Sequence, residues 1–263
     1  MTQNKKNLKS KTINFTAFCL GVAAILLLVQ AAGPLQGNRI VFPSIPEIWE
    51  ALVRLLSRGE TYALIGTTML HLLAVLAISM AAGILTGIAE GVSEKVYAFL
   101  RPLMILIRTL PMIILVILVM TLLPYDRVPV VAGSLVLLPM ISEAVYEGCR
   151  NIEPELLDVY RLNSGFNLTV MGNVYLPSVT GYLKQAFFNA AGMGLKVVVS
   201  AEYLVQARKS LGKAVYSSSY YLEYAEIYAY ALIMILLVVL TTEVPVMIIR
   251  LRERKAGRGN ADR

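Results

Sequence analysis

The sequence has 263 residues, of which 57% are hydrophobic and 16% charged, and its formal net charge is +7. This composition is too apolar for a soluble enzyme or a nucleic-acid-binding domain, and it indicates a polytopic membrane protein. Two separated cysteines and one histidine give neither a disulfide framework nor a metal site, so we expect no metal. We expect no nucleic-acid partner either, because basic residues gather at the cytoplasmic ends of membrane spans.

The N-terminal segment 1–12 is basic, and the apolar segment 13–32 that follows it is long enough to span a membrane. The sequence QAAG at its end leaves a cleavable signal peptide as the alternative. Because the apolar segment is long for a signal peptide and more spans follow, we predict a first membrane helix with its N-terminus in the cytoplasm.

The segment after this span contains a helix start signal. Ser44-Ile45-Pro46-Glu47 precedes a series of apolar residues with helical spacing. We predict a short amphipathic helix on the outer membrane face, with Trp49 at the interface. The alternative is an ordinary loop helix packed on the spans.

Five further apolar segments predict spans at about 61–89, 102–123, 128–146, 179–206 and 227–249. Gly83 and Gly87 form a small-xxx-small pair that favours close helix packing. The segment Arg108-Thr109-Leu110-Pro111 must break the helix or lie near a span end. Lysine and arginine are about twice as frequent in the predicted inner segments as in the outer ones, which supports two cytoplasmic termini.

Ionisable side chains within membrane spans usually face protein or water, so four of them are candidates for a solute pathway. The alternatives are a packed or interfacial His71, an Arg108 that reaches the cytoplasmic interface, and a structural charge at Lys196. Lys196 and Glu202 do not share a helix face at their spacing. The four candidates are His71, Arg108, Lys196 and Glu202.

The tyrosine-rich segment 207–226 is predicted to be an outer loop that carries an interfacial aromatic belt.

The polar segment 143–177 lies between two spans on the predicted cytoplasmic side. Glu153-Pro154-Glu155 is typical of a helix start, Asn163-Ser164-Gly165 predicts a turn, and a second short helix is expected from about 166 to 175, stopped by Leu176-Pro177. Two short amphipathic helices between spans form a surface that another protein can bind. The alternative is a structural loop without a partner.

This polar segment resembles the cytoplasmic EAA loop of ABC transporter permeases. Leu157-Asp158-Val159 takes the EAA position, Ser164 stands at the expected glycine with Gly165 next to it, and Val174-Tyr175-Leu176-Pro177 matches the closing V-x-L-P. Further fragments are similar to the nitrate/sulfonate/taurine importer branch of that family. They are Phe42-Pro43-Ser44, Glu47-Ile48-Trp49, Thr68, Arg108-Thr109-Leu110-Pro111, Ala201-Glu202 and Leu211-Gly212.

The resemblance implies an all-α integral membrane protein with the type I, MetI-like permease fold and six transmembrane helices. It implies one permease domain over 13–249, with a coupling loop at 147–178, and a basic cytoplasmic tail at 250–263. The residues implied to couple with an ATPase are Glu153, Glu155, Leu156, Leu157, Asp158, Val159, Tyr160, Arg161, Ser164, Gly165, Phe166 and Pro177.

The same resemblance implies a non-enzymatic transport subunit of the bacterial cytoplasmic (inner) membrane. Its implied partners are two ABC ATPase subunits, a second permease copy in a homodimer, an extracytoplasmic solute-binding protein and membrane lipids. The chain would bind no cofactor itself, and ATP with Mg²⁺ would bind the partner ATPase. The sequence contains no GxxxxGK[ST] motif, so it does not bind ATP by that route.

The implied activity is ATP-driven import of a small solute by alternating access, either an anion such as nitrate, sulfonate or taurine, or a vitamin precursor. Two alternatives stay open. A secondary transporter or channel would work without an ATPase partner, and a membrane scaffold would transport nothing.

Overall fold

The computed structural model describes residues 42–152 and 171–261, with side chains up to Thr242 except Met171 and Val174. Every regular element in these ranges is helical. A 3₁₀ turn, Tyr125–Arg127, leads into α5, and a π-helical turn, Met171–Tyr175, leads into α6. The helices are α1 (Ile45–Ser57), α2 (Gly59–Val92), α3 (Glu94–Thr109), α4 (Met112–Leu122), α5 (Val128–Arg150), α6 (Leu176–Val205), α7 (Leu211–Tyr220) and α8 (Tyr224–Ala261).

By length and composition, three of the described helical segments can cross a membrane: Gly59–Val92, Tyr125–Arg150 and Tyr224–Thr242. The bent pair α3–α4 makes a fourth if it is one span. These four overlap the predicted spans 61–89, 102–123, 128–146 and 227–249.

The two remaining predicted spans have different outcomes. Segment 13–32 lies outside the described residues. Segment 179–206 forms α6, but Asn189, Lys196 and Glu202 make this helix more polar than the three that qualify. The total of six spans therefore stays a prediction.

The chain divides into two compact units. The smaller one contains α1 and residues 217–231, and the larger one contains residues 59–216 and the chain from 232 onward.

Helix α1, in the smaller unit, begins at the predicted signal. The Ser44 backbone N–H donates to the Glu47 carboxylate over 2.8 Å, and Pro46 lies in the first turn, where no N–H has an intrahelical partner. Ala51 and Leu55 are buried, so one face of α1 packs within its unit.

Charged side chains of α1 face the turn before α8. Glu47, Glu50 and Arg54 line a pocket of about 320 Å³ together with residues 222–226. Burial raises the pKa of Glu223 in this turn above its ordinary value of 4.5, a neighbouring carboxylate raises it further, and two arginines from the α1 segment oppose the rise. The α1 segment and the turn therefore interact through their charges.

The core of the larger unit is formed by α2, α5 and α6, which make its most extensive contacts. Helix α6 contributes mainly small and β-branched side chains to it, including Ala190, Ala191 and Val198, and Leu72 and Leu137 fill the space between the helices. Small residues let helix backbones approach closely where no hydrophobic effect operates between helices in lipid. The helix placed centrally is thus one that is more polar than the three candidate spans.

Three glycines of α2 form the contact with α5. A Cβ atom on Gly83 would lie 2.7 Å from the Ile141 side chain, and one on Gly87 would lie 2.5 Å from the Ser142 carbonyl oxygen. Gly91 continues the row one turn further on, against Cys149. The close packing expected from Gly83 and Gly87 is confirmed and extends by one turn.

Two predictions of local structure need correction. Pro177 does not stop a helix; it lies in the first turn of α6, which follows directly from the π-helical turn Met171–Tyr175, because a first-turn residue needs no N–H donor. Segment 207–226, predicted as a loop, contains the ten-residue helix α7.

Candidate solute pathway and coupling region

The bend between α3 and α4 brings charged groups together. Leu110 has an extended backbone, with φ −65° and ψ 128°, and Pro111 caps α4. Proline has no N–H to continue the helix, and it disfavours helical geometry in the residue before it. The two helices meet at 108°, which confirms the predicted break and places Arg108 in the last turn before it.

Arg108 pairs with Glu143 of α5, and both side chains remain about half exposed, at 53% and 51%. Such a pair within a membrane span does not face lipid hydrocarbon, because each charge would lose its hydration. The pair borders a pocket of about 340 Å³ between α2, α3 and α5. The pocket is lined by Glu90, Tyr97, Arg101, Met104, Ile105, Arg108, Pro139, Ser142, Glu143, Tyr146 and Glu147.

The buried wall of this pocket is a chain of hydrogen bonds. The Ser142 hydroxyl donates to the buried Glu90 carboxylate over 3.0 Å, and the Thr86 hydroxyl donates to Ser142 Oγ over 2.9 Å. Thr86 lies next to the glycine row of α2, so the close approach of α2 and α5 also brings these three polar groups together.

Aromatic rings form another part of the wall. Tyr97 of α3 and Tyr146 of α5 stack with their ring centroids 4.5 Å apart. The Arg101 guanidinium lies 5.3 Å from the centroid of Tyr97, and Arg150 lies 5.9 Å from that of Tyr146. Guanidinium groups beside carboxylates and ring faces can receive a polar or ionic solute. Within the described ranges, no group of three or more His, Cys, Asp or Glu could hold a metal.

A second polar cluster surrounds Glu202 near the end of α6. The Glu202 side chain is 0% exposed, and its Oε1 lies 2.7 Å from His71 Nδ1. Its Oε2 accepts from the Thr68 hydroxyl over 2.9 Å and from the Gly212 N–H over 3.1 Å. Thr68 Oγ1 accepts in turn from the Leu211 N–H over 3.0 Å.

Gly212 is essential to this geometry. A Cβ atom there would lie 2.4 Å from the Glu202 Cβ and 2.5 Å from the Tyr203 backbone nitrogen. The first turn of α7 therefore lies directly on α6. The cluster joins α2, α6 and α7.

The four candidate pathway residues separate into different environments. His71 and Glu202 contact each other, Arg108 pairs with Glu143, and Lys196 is exposed on α6. Glu202 is fully buried, so Lys196 and Glu202 lie on different faces, as their spacing indicated.

The sequence analysis did not select Glu90, Glu143 or Glu147 for the pocket. One signal was available. Glu143 lies near the end of an apolar segment, where an acidic group needs a partner, and Arg108 lies at the predicted helix break.

The structure describes one of the twelve predicted coupling residues, Pro177. The eleven from Glu153 to Phe166 lie outside the described residues, and Pro177 is exposed in the first turn of α6. Tyr175 of the predicted coupling loop and Val179 of α6 are buried in one cluster with Val145, Cys149 and Ile152.

Comparisons with known proteins give a family match and a structural match. A family model described as "Binding-protein-dependent transport system inner membrane component" matches residues 79–257, which is more than half of the chain. Fourteen chains of solved structures match the fold. One, from inward-facing conformations of the MetNI methionine ABC transporter, has a TM-score of 0.56 at 20% identity and covers 79% of this chain and 98% of its own. Comparison with curated proteins gives no match.

Proposed function

Since the chain belongs to the family of binding-protein-dependent transport system inner membrane components, the permeases of ABC importers, we propose that it moves a small solute from an extracytoplasmic binding protein into the cytoplasm by alternating access. The observation that carries this proposal is the family match over residues 79–257. That range contains the polar coupling loop, the bent pair α3–α4 and the core helices α5 and α6.

The partners of this permease are two ATPase subunits, a second copy of the chain and a solute-binding protein. The exposed Arg108–Glu143 pair supports the second copy, because charges within a span need protein or water on their open side. A homodimer with a water-filled pathway between its two copies supplies both. Both termini then lie in the cytoplasm, as the distribution of basic residues favours.

ATP-driven motion enters through the coupling loop. The residues from Glu153 to Phe166 bind the ATPase through apolar side chains, with charged side chains at the edge of the contact. The π-helical turn Met171–Tyr175 continues directly into α6, and α6 lies in the core beside α2 and α5. A displacement of the loop is therefore passed along a continuous helix to the centre of the permease.

The solute is small and polar or ionic. Nitrate, a sulfonate or taurine fits the resemblance, and a vitamin precursor is the alternative. The pocket beside Arg101 and Arg108, with its carboxylates and stacked rings, is suited to a charged solute. Arg108 and Lys196 are the pathway residues in this proposal. His71 and Glu202 have a structural role, because their cluster joins α2, α6 and α7.

Charged substitutions in the coupling loop test the proposal. Tyr160→Asp or Phe166→Asp should insert normally, lose co-purification of the ATPase and lose ATP-driven uptake, because a charge would replace the apolar contact. Tyr125→Asp is the matched control, since Tyr125 is 61% exposed in a turn that already carries Asp126 and Arg127. Normal ATPase binding and uptake by both loop variants would contradict the proposal.

A further inference from the structure

Helix α1 has two faces whose roles are clear from its contacts. At about 100° per residue, Ala51 and Leu55 share one face, and both are buried. Glu47, Glu50 and Arg54 share another face within an arc of about 60°, and they line the pocket next to α8.

The third face is apolar and exposed. Its four large side chains lie within an arc of about 80° and along about 16 Å of the helix, and Trp49 is the most exposed of them, at 64%. We call this set the α1 stripe; it consists of Ile45, Trp49, Val53 and Leu56.

The smaller unit places α1 level with the end of a membrane span. The charged face of α1 shares its pocket with residues 222–226, and the candidate span Tyr224–Thr242 begins within that turn. Tyr221 and Leu222 beside it are exposed as well. Exposed aromatic side chains at a span end are typical of the boundary between hydrocarbon and water.

We propose that α1 lies in the bilayer interface and that the α1 stripe contacts lipid acyl chains. Interfacial helices combine an apolar face with a charged one and insert the apolar face about 5–10 Å into the boundary between headgroups and acyl chains. A soluble partner fits less well, because four large apolar side chains would face water whenever that partner dissociated. The other possible cover is segment 13–32 of the same chain.

The chain contains one tryptophan, so its fluorescence reports on the α1 stripe without any substitution. The full chain is reconstituted in phosphatidylcholine vesicles with bromine at shallow or deep acyl positions, and in unbrominated vesicles. Contact with lipid predicts a loss of emission in brominated vesicles, larger for shallow than for deep bromine. Acrylamide in the water phase should quench the emission weakly.

A variant with the reporter moved provides the control. Trp49→Phe with Ser57→Trp places the indole about 120° from Ile45 around the helix. Quenching by lipid bromine should fall and quenching by acrylamide should rise. The proposal is overturned if Trp49 loses no emission to bromine at either depth. Strong acrylamide quenching would then assign the α1 stripe to water or a soluble partner, and weak quenching to segment 13–32.

Discussion

The carboxylate of Glu202 is fully buried and accepts hydrogen bonds from Thr68 and Gly212, with His71 Nδ1 at 2.7 Å on its other oxygen. A buried charge is stable only when its oxygens are paired. Without Glu202, the Thr68 hydroxyl and the Gly212 N–H would lose their acceptor and His71 would lose its partner. At the scale of the residue, one carboxylate on α6 therefore satisfies polar groups on two other helices, α2 and α7.

The two simplest substitutions of Glu202 should differ. Glu202→Ala removes the acceptor that the Thr68 hydroxyl and the Gly212 N–H share, and it should destabilise the protein by about 1–3 kcal/mol. Glu202→Gln should be milder, because its side-chain oxygen can still accept from Thr68 and Gly212. Thermal unfolding and hydrogen exchange at the Gly212 amide measure both effects. Equal stability of Glu202→Ala and the wild type would contradict this role.

The Arg108–Glu143 pair gives a second prediction. Either single substitution to alanine leaves a charge without its partner, and because both side chains are about half exposed, the loss of stability should be at most about 1 kcal/mol. The exchange Arg108→Glu with Glu143→Arg should restore thermal stability. Uptake of an anionic solute should remain low, because the positive charge has moved. Full uptake by the exchanged variant would show that the pair is only structural.

The sequence could identify these ionisable residues but not all of their partners. A charge within an apolar segment indicates that some partner exists. The partner of Arg108 lies 35 residues away and that of His71 lies 131 away, so only the packing of the helices shows which groups meet. The hydrogen bond from the Gly212 N–H had no sequence signal, because a backbone donor looks the same at every position.

At the scale of the element, the glycine row of α2 fixes its contact with α5. The pair Gly83 and Gly87 was readable from the sequence because residues four apart share a helix face. The sequence did not show which helix packs against this pair. The row meets Ile141, Ser142 and Val145 of α5, a register that depends on both helices.

Substituting alanine at two glycines of α2 tests this contact. Gly87→Ala would place a Cβ atom 2.5 Å from the Ser142 carbonyl oxygen, and because backbone moves less readily than a side chain, we expect destabilisation of about 1–3 kcal/mol. Gly66→Ala is the control, since nothing lies within 4 Å of its added Cβ. It should be neutral or stabilise the helix by up to about 1 kcal/mol. Thermal unfolding in detergent compares the two, and equal melting temperatures would contradict the close contact.

Of the two helix breaks predicted at prolines, one is confirmed and one is wrong, because the effect of a proline depends on its position in the helix. Pro111 follows a helical segment and stops it at Leu110, as expected. Pro177 has the same local chemistry but lies in a first turn, where proline is tolerated. The sequence signal for proline depends on where the helix begins, and the π-helical turn before α6 had no recognisable pattern.

At the scale of the whole molecule, hydropathy predicted the order of the described helices along the chain. It did not predict which helices pack against each other. The central position of α6 was unexpected, because its polar side chains make it less apolar than the three candidate spans. Its small residues explain the position, since they admit α2 and α5 at close range. The described end of the predicted coupling loop, Met171–Tyr175, continues directly into this central helix.

The most direct test is uptake by the purified permease, reconstituted in vesicles with the proposed ATPase and the proposed solute-binding protein. We expect accumulation of labelled solute only when ATP is present on the side of the ATPase, and none with the coupling-loop variant Tyr160→Asp. Uptake at the same rate without the ATPase, or uptake driven by a proton or sodium gradient in the absence of ATP, would contradict the account.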